Sequence, residues 1–502
     1  MRKTFIYVGV VMMVGCVNAA TLCELLEAAK PPLFKAGHTL PRLSRWGWSM
    51  PFEVRVKLCE EWGYGLEVGG YLTEGAVDEI ERDAAHPNAK VVALAAANPE
   101  RYPLTVLAHR PLGRDEIPAK LLKNYYVRDK SGELIDDGGN TWRLISPEAP
   151  ASIFKWAAAG TVGPLRRLQK MAPIAVVLNG GEYGLSVYGH SGRFWEQDPR
   201  VVRAKGKMSW YDYISKSKAR QERIISDAVR KAVPGALYVW YHFGGEPTWS
   251  HWSWANNYAY TRVLSDYPGQ SIYYAHYNSG WSGKNDLLSN YLIATSQAIE
   301  KYREPLSYNW VAGGWTTNAT STIERYTGFL KCLYTGGMIG GVAGYFSAPP
   351  GHKGEDIGDK GSPCLDQMMA LGHVHGLFSH LEDFLRQGEL LPGPLVHDNV
   401  NAEGLPRYEL PSGDPTVRVL ARRHLQKEAW LVTVWAAEGA KRDVTLEIPA
   451  LGSATLTARP EGSVYILRGE IVIKHEPPSI KNVLVDINGM DPSRSAGSVG
   501  NM

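Results

Sequence analysis

The sequence contains two Gly-Gly-Glu triplets, at residues 180–182 and 244–246, and each follows a short apolar run. Glycine lets the backbone turn sharply and leaves room beside the carboxylate. Two neighbouring glutamates suit general acid–base chemistry on a glycosidic bond, because their proximity pushes their pKa values apart and keeps one protonated. We therefore take Glu182 as the candidate proton donor and Glu246 as the candidate nucleophile or base. Each glutamate alone could instead be a solvated carboxylate or a partner of Arg110 or His242.

Aromatic residues with a polar tip are unusually frequent, with 16 Trp and 26 Tyr against 10 Phe. Sugar rings stack their C–H faces on flat aromatic rings, while their hydroxyls need polar partners. Residues 249–254 hold three Trp in six positions, which is too dense for the core stripe of a helix. The predicted substrate-binding residues are Trp48, His109, Arg110, Asn179, Tyr183, His190, His242, Trp249, Trp252, His276, Trp281, Trp310 and Trp315.

Basic residues are frequent in the same stretches, although the chain as a whole is nearly neutral. The 54 Lys and Arg against 51 Asp and Glu leave a net charge of +3, which does not mark a nucleic-acid-binding protein. Local cations favour a sulfated or uronate-bearing glycan, unless each pairs with a nearby carboxylate. The basic residues concerned are His109, Arg110, His190, Arg193, His242, His251, His276, Lys284, His352 and Lys353.

The elements that must position these residues alternate between short apolar runs and amphipathic stretches. The predicted strands are residues 46–50, 65–72, 104–110, 174–182, 237–246, 272–281, 306–315 and 339–347. The predicted helical stretches between them include residues 51–62, 152–171, 212–232, 287–302 and 323–334, and residues 365–385 close the series. Eight strand–helix units predict an α/β fold, a (β/α)8 TIM barrel, whose chemistry lies at the carboxyl ends of the strands. An open doubly wound sheet is disfavoured, since no Gly-x-Gly-x-x-Gly turn follows the first strand.

Beyond residue 394 the periodicity changes to short alternating strands at 417–422, 430–436, 443–448, 454–458 and 463–468. This pattern predicts a small C-terminal antiparallel β-sandwich. We therefore expect a catalytic barrel over residues 20–391, the sandwich over 395–490, and a disordered Ser/Gly-rich tail over 491–502.

Residues 1–19 read as a signal peptide, with Arg2 and Lys3 before a short apolar run and small residues before the cleavage point. Lipidation at Cys16 is an alternative that would anchor the protein to a membrane. No apolar run is long enough to span a bilayer, so we expect a secreted or periplasmic protein. The four later cysteines form no Cys-x-x-Cys pair and read as buried residues with at most one disulfide.

In combination, the signal peptide, the barrel with Glu182 after its fourth strand and the trailing β-sandwich resemble secreted retaining glycoside hydrolases of the barrel clan that includes β-galactosidases and β-agarases. In that clan the acid/base glutamate directly follows Asn, whereas here two glycines separate Asn179 from Glu182. The clan's nucleophile ends strand seven, where residues 309–315 hold no carboxylate. The resemblance covers the architecture and assigns no family.

These observations predict a glycoside hydrolase that cleaves a polysaccharide or oligosaccharide, with an anionic glycan such as a sulfated galactan, carrageenan or fucan favoured. A non-catalytic glycan-binding barrel is one alternative. A metal-dependent hydrolase or lyase that uses the histidines is another, although no His-x-His or His-Glu-x-x-His spacing occurs at the strand ends. We expect no cofactor and no metal.

Overall fold

The computed structural model describes the strands, most helices and the C-terminal sheets, and all structural statements below concern the described residues. These are residues 23–24, 26–27, 39–45, 51–113, 116–135, 145–179, 194–240, 257–268, 271–273, 288, 291–292, 295–296, 298–299, 303, 306–308, 310–312, 323–337, 342–343, 363–393, 408–468 and 484–485.

Each of the eight predicted barrel strands has a counterpart in the structure, and the first lies just before its predicted range. The strands are β1 (Ser44–Arg45), β2 (Leu66–Leu72), β3 (Leu104–Ala108), β4 (Ile174–Asn179), β5 (Leu237–Trp240), β6 (Ser271–Tyr273), β7 (Trp310–Ala312) and β8 (Val342–Ala343).

The order of these strands is that of a closed parallel barrel. One sheet has the order β2-β3-β4-β5 and another the order β1-β8-β7-β6, with every pair parallel. A parallel bridge between Leu43 and Tyr64 joins β1 to the start of β2, so seven of the eight neighbour pairs of a barrel are seen in the described part of the chain. The predicted (β/α)8 fold is confirmed.

The interior of the barrel is filled by a small apolar layer. Leu107, Val176, Leu178, Val239 and Tyr308 form one buried cluster, which brings β3, β4 and β5 together with the residue that lies two before β7. Alternate residues of the same strands, such as Val106 and Val177, belong instead to a larger cluster with the helices. Because side chains alternate across a strand, these two clusters define an inner and an outer face.

The helices lie between the strands in sequence, as predicted. They are α1 (Phe52–Glu61), α2 (Glu74–Arg82), α3 (Pro87–Ala97), α4 (Ala119–Leu122), α5 (Ala151–Met171), α6 (Pro199–Lys205), α7 (Trp210–Ala232), α8 (Tyr258–Thr261), α9 (Ile323–Thr335), α10 (Pro363–His380) and α11 (Glu382–Gln387). The described residues within the predicted helix 287–302 are helical too. Helix α7 begins at the cap Ser209, whose hydroxyl accepts a hydrogen bond from the backbone N–H of Asp212 at 3.0 Å.

The C-terminal part is antiparallel, and its strands match the prediction closely. They are β9 (Gly388–Leu390), β10 (Val417–His424), β11 (Ala429–Ala436), β12 (Arg442–Ile448), β13 (Gly452–Ala458), β14 (Ser463–Arg468) and β15 (Leu484–Val485). One sheet has the order β15-β14-β11-β10-β9, and β12 pairs with β13. Residues from both sheets share a buried apolar core, as in a β-sandwich. Strand β9 begins the C-terminal sheet at Gly388. The sheet therefore starts before residue 391, which is the predicted end of the barrel.

Helix α9 of the barrel packs directly on strand β11. Trp435 of β11 is buried beside Phe329, with ring centroids 6.1 Å apart, and its indole N–H donates to the carbonyl of Pro460 at 2.9 Å. The buried ammonium of Lys331 donates to the carbonyl of Gly462 at 2.6 Å. These contacts tie the barrel and the C-terminal sheets to each other through one shared core.

Three cysteines of the described chain, Cys23, Cys59 and Cys332, form no disulfide. Burial raises the pKa of the Cys59 thiol to about 12, which makes it unreactive. Among the described residues no helix combines the length and apolar character needed to cross a membrane. The predicted signal peptide at 1–19, Cys16 and the tail at 491–502 lie outside the described residues.

Gly328 allows the close approach of α9 to β11, which gives a test of this interface. A methyl group at Gly328 would lie 2.6 Å from the Pro460 carbonyl oxygen and closer still to the Trp435 indole. We expect Gly328→Ala to lower the free energy of unfolding by about 1–3 kcal/mol, measured by urea denaturation. Gly75→Ala is the matched control: this helical glycine is exposed and its methyl group meets only Thr73 Oγ1 at 3.8 Å, so stability should rise by about 0.5–1 kcal/mol. Equal effects at both positions would contradict this packing.

Candidate active site at the carboxyl ends of the strands

The register of the parallel sheet aligns four strand ends in one row. Leu72 of β2 is paired with Ala108 of β3, Ala108 with Asn179 of β4, and Asn179 with Trp240 of β5. Parallel strands all point the same way, so the segments that follow this row leave the barrel at the same end. That end is the mouth of the barrel.

Both candidate catalytic residues follow this row in the sequence. Glu182 is the third residue after Asn179, and Glu246 is the sixth after Trp240. Both lie outside the described residues, as do Trp48, Tyr183, His190, His242, Trp249, Trp252, His276, Trp281 and Trp315. Trp310 begins strand β7, opposite Ser271 and Val342, but its side chain is not described. For these residues the sequence-based roles stay predictions.

Asn179 and Arg110, two of the predicted substrate contacts, lie on the outer face of the sheet. Asn179 is fully buried, and its amide donates a hydrogen bond to the hydroxyl of Tyr238, which packs in the outer cluster. Arg110 is 1% exposed and forms an ion pair with Glu222 of helix α7. The two-residue alternation of the strands places positions 110 and 179 on this face. The segments that follow them at the mouth lie outside the described residues, so their contact with substrate stays a prediction.

The outer face carries a buried cluster of charges that we call the α7 cluster: Arg110, Lys218 and Glu222. Lys218 and Glu222 are four residues apart on α7, and both are almost fully buried. The ammonium of Lys218 lies 5.9 Å from the centre of the Trp240 ring, within the range of a cation–π interaction. The cluster therefore contacts Trp240, the last residue of β5.

Burial dominates the electrostatics of the α7 cluster. It lowers the pKa of Lys218 to about 7, an effect that Arg110 reinforces and Glu222 opposes. Burial also raises the pKa of Glu222, against the opposing influence of the Arg110 and Lys218 charges. The pKa of Tyr238 is raised by the same loss of water, which keeps its hydroxyl neutral and able to accept from Asn179.

The inner face at the mouth carries His109, for which substrate binding was predicted. His109 is two residues beyond Leu107 of the inner layer, so alternation points it inward. Its Nε2 lies 2.5 Å from Glu116 Oε1, and the other carboxylate oxygen of Glu116 accepts from the backbone N–H of Gly113 at 2.9 Å. The ring of Tyr71 meets His109 edge-on, with centroids 6.0 Å apart. Of the predicted site residues whose side chains are described, His109 is the one on the accessible face.

Sequence reasoning did not identify Lys218, Glu222 or Tyr238, although a signal for the first two was present. On α7 they interrupt the apolar stripe formed by Ile214, Ile225 and Val229. A charged pair four residues apart within such a stripe must be buried with partners, which marks a polar cluster at the inner side of the helix.

Comparison with known proteins finds no family model that matches the sequence, and no curated protein matches it either. Among solved structures, the chain is similar to a family 39 glycoside hydrolase from Bacteroides cellulosilyticus WH2, with 10% identity and a TM-score of 0.41 over 86% of this chain and 81% of that one. It is similar to a cold-adapted β-galactosidase from Rahnella sp. R3, with 9% identity and a TM-score of 0.48 over 86% of this chain and all of that one.

A third similar structure is the agarase AgWH50C, with 11% identity and a TM-score of 0.36. The match covers 66% of this chain and 48% of the agarase, so the chain spans about half of that enzyme's length. The three solved structures are therefore glycoside hydrolases by their descriptions.

Lys218 gives a pH-dependent test of the α7 cluster. Its pKa is about 7 in the folded protein against a usual 10.5, so between these pH values the unfolded chain holds a proton that the folded protein lacks. The burial of Lys218 therefore makes the free energy of unfolding rise with pH between 7 and 10.5. Below pH 7 the buried ammonium lowers the stability of the folded protein by its full amount. We expect Lys218→Met to raise the Tm relative to wild type by more at pH 6.5 than at pH 9.5, with a change of up to about 1.4 kcal/mol per pH unit in the unfolding free energy.

The matched control for this measurement is Lys216→Met, at an exposed position of the same helix. Its Tm difference from wild type should stay constant over the same pH range. A Lys218→Met difference that is equally independent of pH would contradict the lowered pKa.

Proposed function

We propose that this chain is a glycoside hydrolase that cleaves polysaccharide or oligosaccharide chains at the barrel mouth, with Glu182 and Glu246 as its two catalytic carboxylates. The observation that carries the proposal is the pairing of Asn179 with Trp240. Because these residues are neighbours at the ends of β4 and β5, the segments that carry Glu182 and Glu246 follow adjacent strand ends at the same edge of the barrel. Paired carboxylates at that edge are what hydrolysis of a glycosidic bond requires.

The proposed reaction proceeds with retention of configuration. Glu182 protonates the glycosidic oxygen as the bond to the anomeric carbon breaks, while the Glu246 carboxylate attacks that carbon and forms a glycosyl ester. Glu182, now ionised, then removes a proton from water, which displaces Glu246 and releases the sugar. This course requires carboxyl groups about 5–5.5 Å apart, whereas a separation of about 6.5–9.5 Å would place a water between them and give inversion.

The α7 cluster supports this proposal because it contacts the strand ends from the outer face of the sheet. Glu222 of α7 is paired with Arg110, two residues beyond β3, and Lys218 of α7 lies beside Trp240, the last residue of β5. Asn179, the last residue of β4, is bonded to Tyr238 of β5. Acid–base catalysis depends on carboxylates held to within a fraction of an ångström, and rigid supporting contacts supply that precision.

The substrate we propose is an anionic, sulfated glycan such as a galactan, a carrageenan or a fucan. Of the basic residues that suggested it, His109 and Arg110 are described, and both are paired with carboxylates. The proposal therefore rests on the other eight, which occur in the segments after the strands and within residues 344–362.

We further propose that residues 1–19 direct export, and that the protein is secreted or periplasmic, with lipidation at Cys16 as the alternative. In this proposal residues 20–391 act as the catalytic barrel, and residues 395–490 form the β-sandwich.

Replacing either glutamate with glutamine tests the assignment. We expect Glu182→Gln and Glu246→Gln each to reduce the release of reducing ends by at least about a thousandfold, because each removes one carboxylate from a cooperating pair. Glu196→Gln, at an exposed position soon after the Glu182 segment, should keep wild-type activity and Tm. Wild-type turnover in either catalytic variant would contradict the pair.

Two further observations separate this proposal from its alternatives. A glycan-binding barrel without catalysis would retain immobilised glycan and release no reducing ends. A metal-dependent enzyme would lose activity in a chelator and regain it with added metal, whereas the two-carboxylate mechanism predicts no effect of the chelator.

The substrate class can be tested with sulfated glycans and their chemically desulfated counterparts. For an anionic substrate we expect kcat/KM on the sulfated chain to exceed that on the desulfated chain, and the difference to shrink as salt is raised from 0.05 to 0.5 M, because salt screens the attraction. Equal rates on both chains, or faster cleavage of the desulfated chain, would assign the substrate to neutral glycans.

A further inference from the structure

Strand β2 contains a bulge at the mouth, directly before the aromatic residue Tyr71. Glu67 is paired with Thr105 and Tyr71 with Leu107, so the three residues 68–70 of β2 lie opposite the single residue Val106 of β3. Gly70 within this bulge has φ +81°, a conformation that favours glycine. Bulges of this kind frequently occur beside functional sites, where they redirect a side chain.

The bulge is held by buried polar contacts from the outer side. Asn88 of α3 accepts a hydrogen bond from the backbone N–H of Gly69 at 3.0 Å and donates one to the Gly69 carbonyl at 3.1 Å. Arg55 of α1, which is also buried, donates to Asn88 Oδ1 at 2.6 Å and to the Glu67 carbonyl at 3.3 Å. The buried pair of Arg55 and Asn88 therefore hydrogen-bonds the backbone at Glu67 and Gly69, which stabilises the bulge.

Tyr71 directly follows the bulge and lies on the inner face at the mouth of the barrel. Tyr71 pairs with Leu107, which belongs to the inner layer, yet 39% of Tyr71 is exposed. An aromatic residue at the carboxyl end of a barrel strand would be expected to pack, so its exposure requires an explanation. The ring of His109 adjoins Tyr71, and Glu116 contacts His109 on the same segment; the two side chains are 28% and 36% exposed.

We propose that Tyr71, His109 and Glu116 form an outer subsite of the mouth that binds an uncharged sugar residue of the substrate chain. This inference rests on the proposed glycoside hydrolase function and specifies part of its binding site. The Tyr71 ring offers a face for the C–H groups of a pyranose, and the Glu116 carboxylate offers an acceptor for its hydroxyls.

The charges of this subsite favour an uncharged ring over a sulfated one. His109 contacts Glu116 at 2.5 Å, so any positive charge on the imidazole is balanced locally. The partly exposed Glu116 carboxylate would repel a sulfate group placed over Tyr71, since like charges in close contact destabilise binding. In a sulfated glycan the subsite therefore selects the unsulfated residues of the chain.

The experiment uses the full chain and oligosaccharides of two to eight residues prepared from the glycan that the wild type degrades. We expect Tyr71→Ala to raise KM about five- to tenfold for the longer oligosaccharides that reach the subsite, because it removes one aromatic face. We expect kcat to stay within twofold, and the shortest substrate that is cleaved to be unaffected. Tyr71→Phe, which keeps the ring, should retain the wild-type KM.

Tyr102→Ala is the matched control, because Tyr102 precedes β3 and therefore lies at the opposite end of the barrel from the mouth. It should leave KM unchanged at every length, and thermal melting checks that each variant is folded. Glu116→Gln tests the charge argument: it should lower KM for sulfated oligosaccharides relative to their desulfated forms.

The outcomes for this inference and for the proposed function are distinct. A wild type that cleaves no glycan contradicts the proposed function and the subsite with it. A wild type that cleaves glycan, with a Tyr71→Ala variant of unchanged KM at every length, overturns the subsite alone. A loss of kcat that is equal for all lengths would also overturn it, because an outer binding residue acts only on chains that reach it.

Discussion

Parallel hydrogen bonding from β2 to β5 fixes the row of Leu72, Ala108, Asn179 and Trp240, and the proposed active site depends on that row. It determines that the segments with Glu182 and Glu246 begin as neighbours. It also determines, through strand alternation, which side chains face the interior and which face the helices. A slip of one residue in this register would exchange the two faces and bury the residues that now line the mouth.

The two faces of this sheet carry different kinds of side chains. On the outer face the α7 cluster buries an arginine, a lysine and a glutamate, an arrangement that is costly to desolvate and contributes little net stability. Its benefit is geometric, because it ties the segment after β3 and the end of β5 to one helix. On the inner face, an apolar layer that includes Leu107 and Val239 fills the barrel up to the mouth, where Tyr71 and His109 become accessible.

Much of this architecture was predictable from the sequence, because buried strands and amphipathic helices leave distinct periodicities. The prediction gave the eight barrel strands in the right order, with the first range just after β1, and its five C-terminal strands match β10 to β14 to within two residues. It assigned no face to Arg110 and Asn179, which the structure places on the outer side of the sheet. The bulge before Tyr71 could not be predicted, because it is held by Asn88 and Arg55, which come from two separate helices.

The central claim is that two carboxylates, carried by neighbouring strand ends, perform the chemistry. The most direct measurement is mass spectrometry of the protein after treatment with the 2-deoxy-2-fluoro glycoside of the sugar that it cleaves, which traps the glycosyl ester of a retaining enzyme. This account predicts one added glycosyl group per chain, on the peptide that contains Glu246, and no adduct in Glu246→Gln. An adduct on any other residue, or its persistence in that variant, would contradict the account.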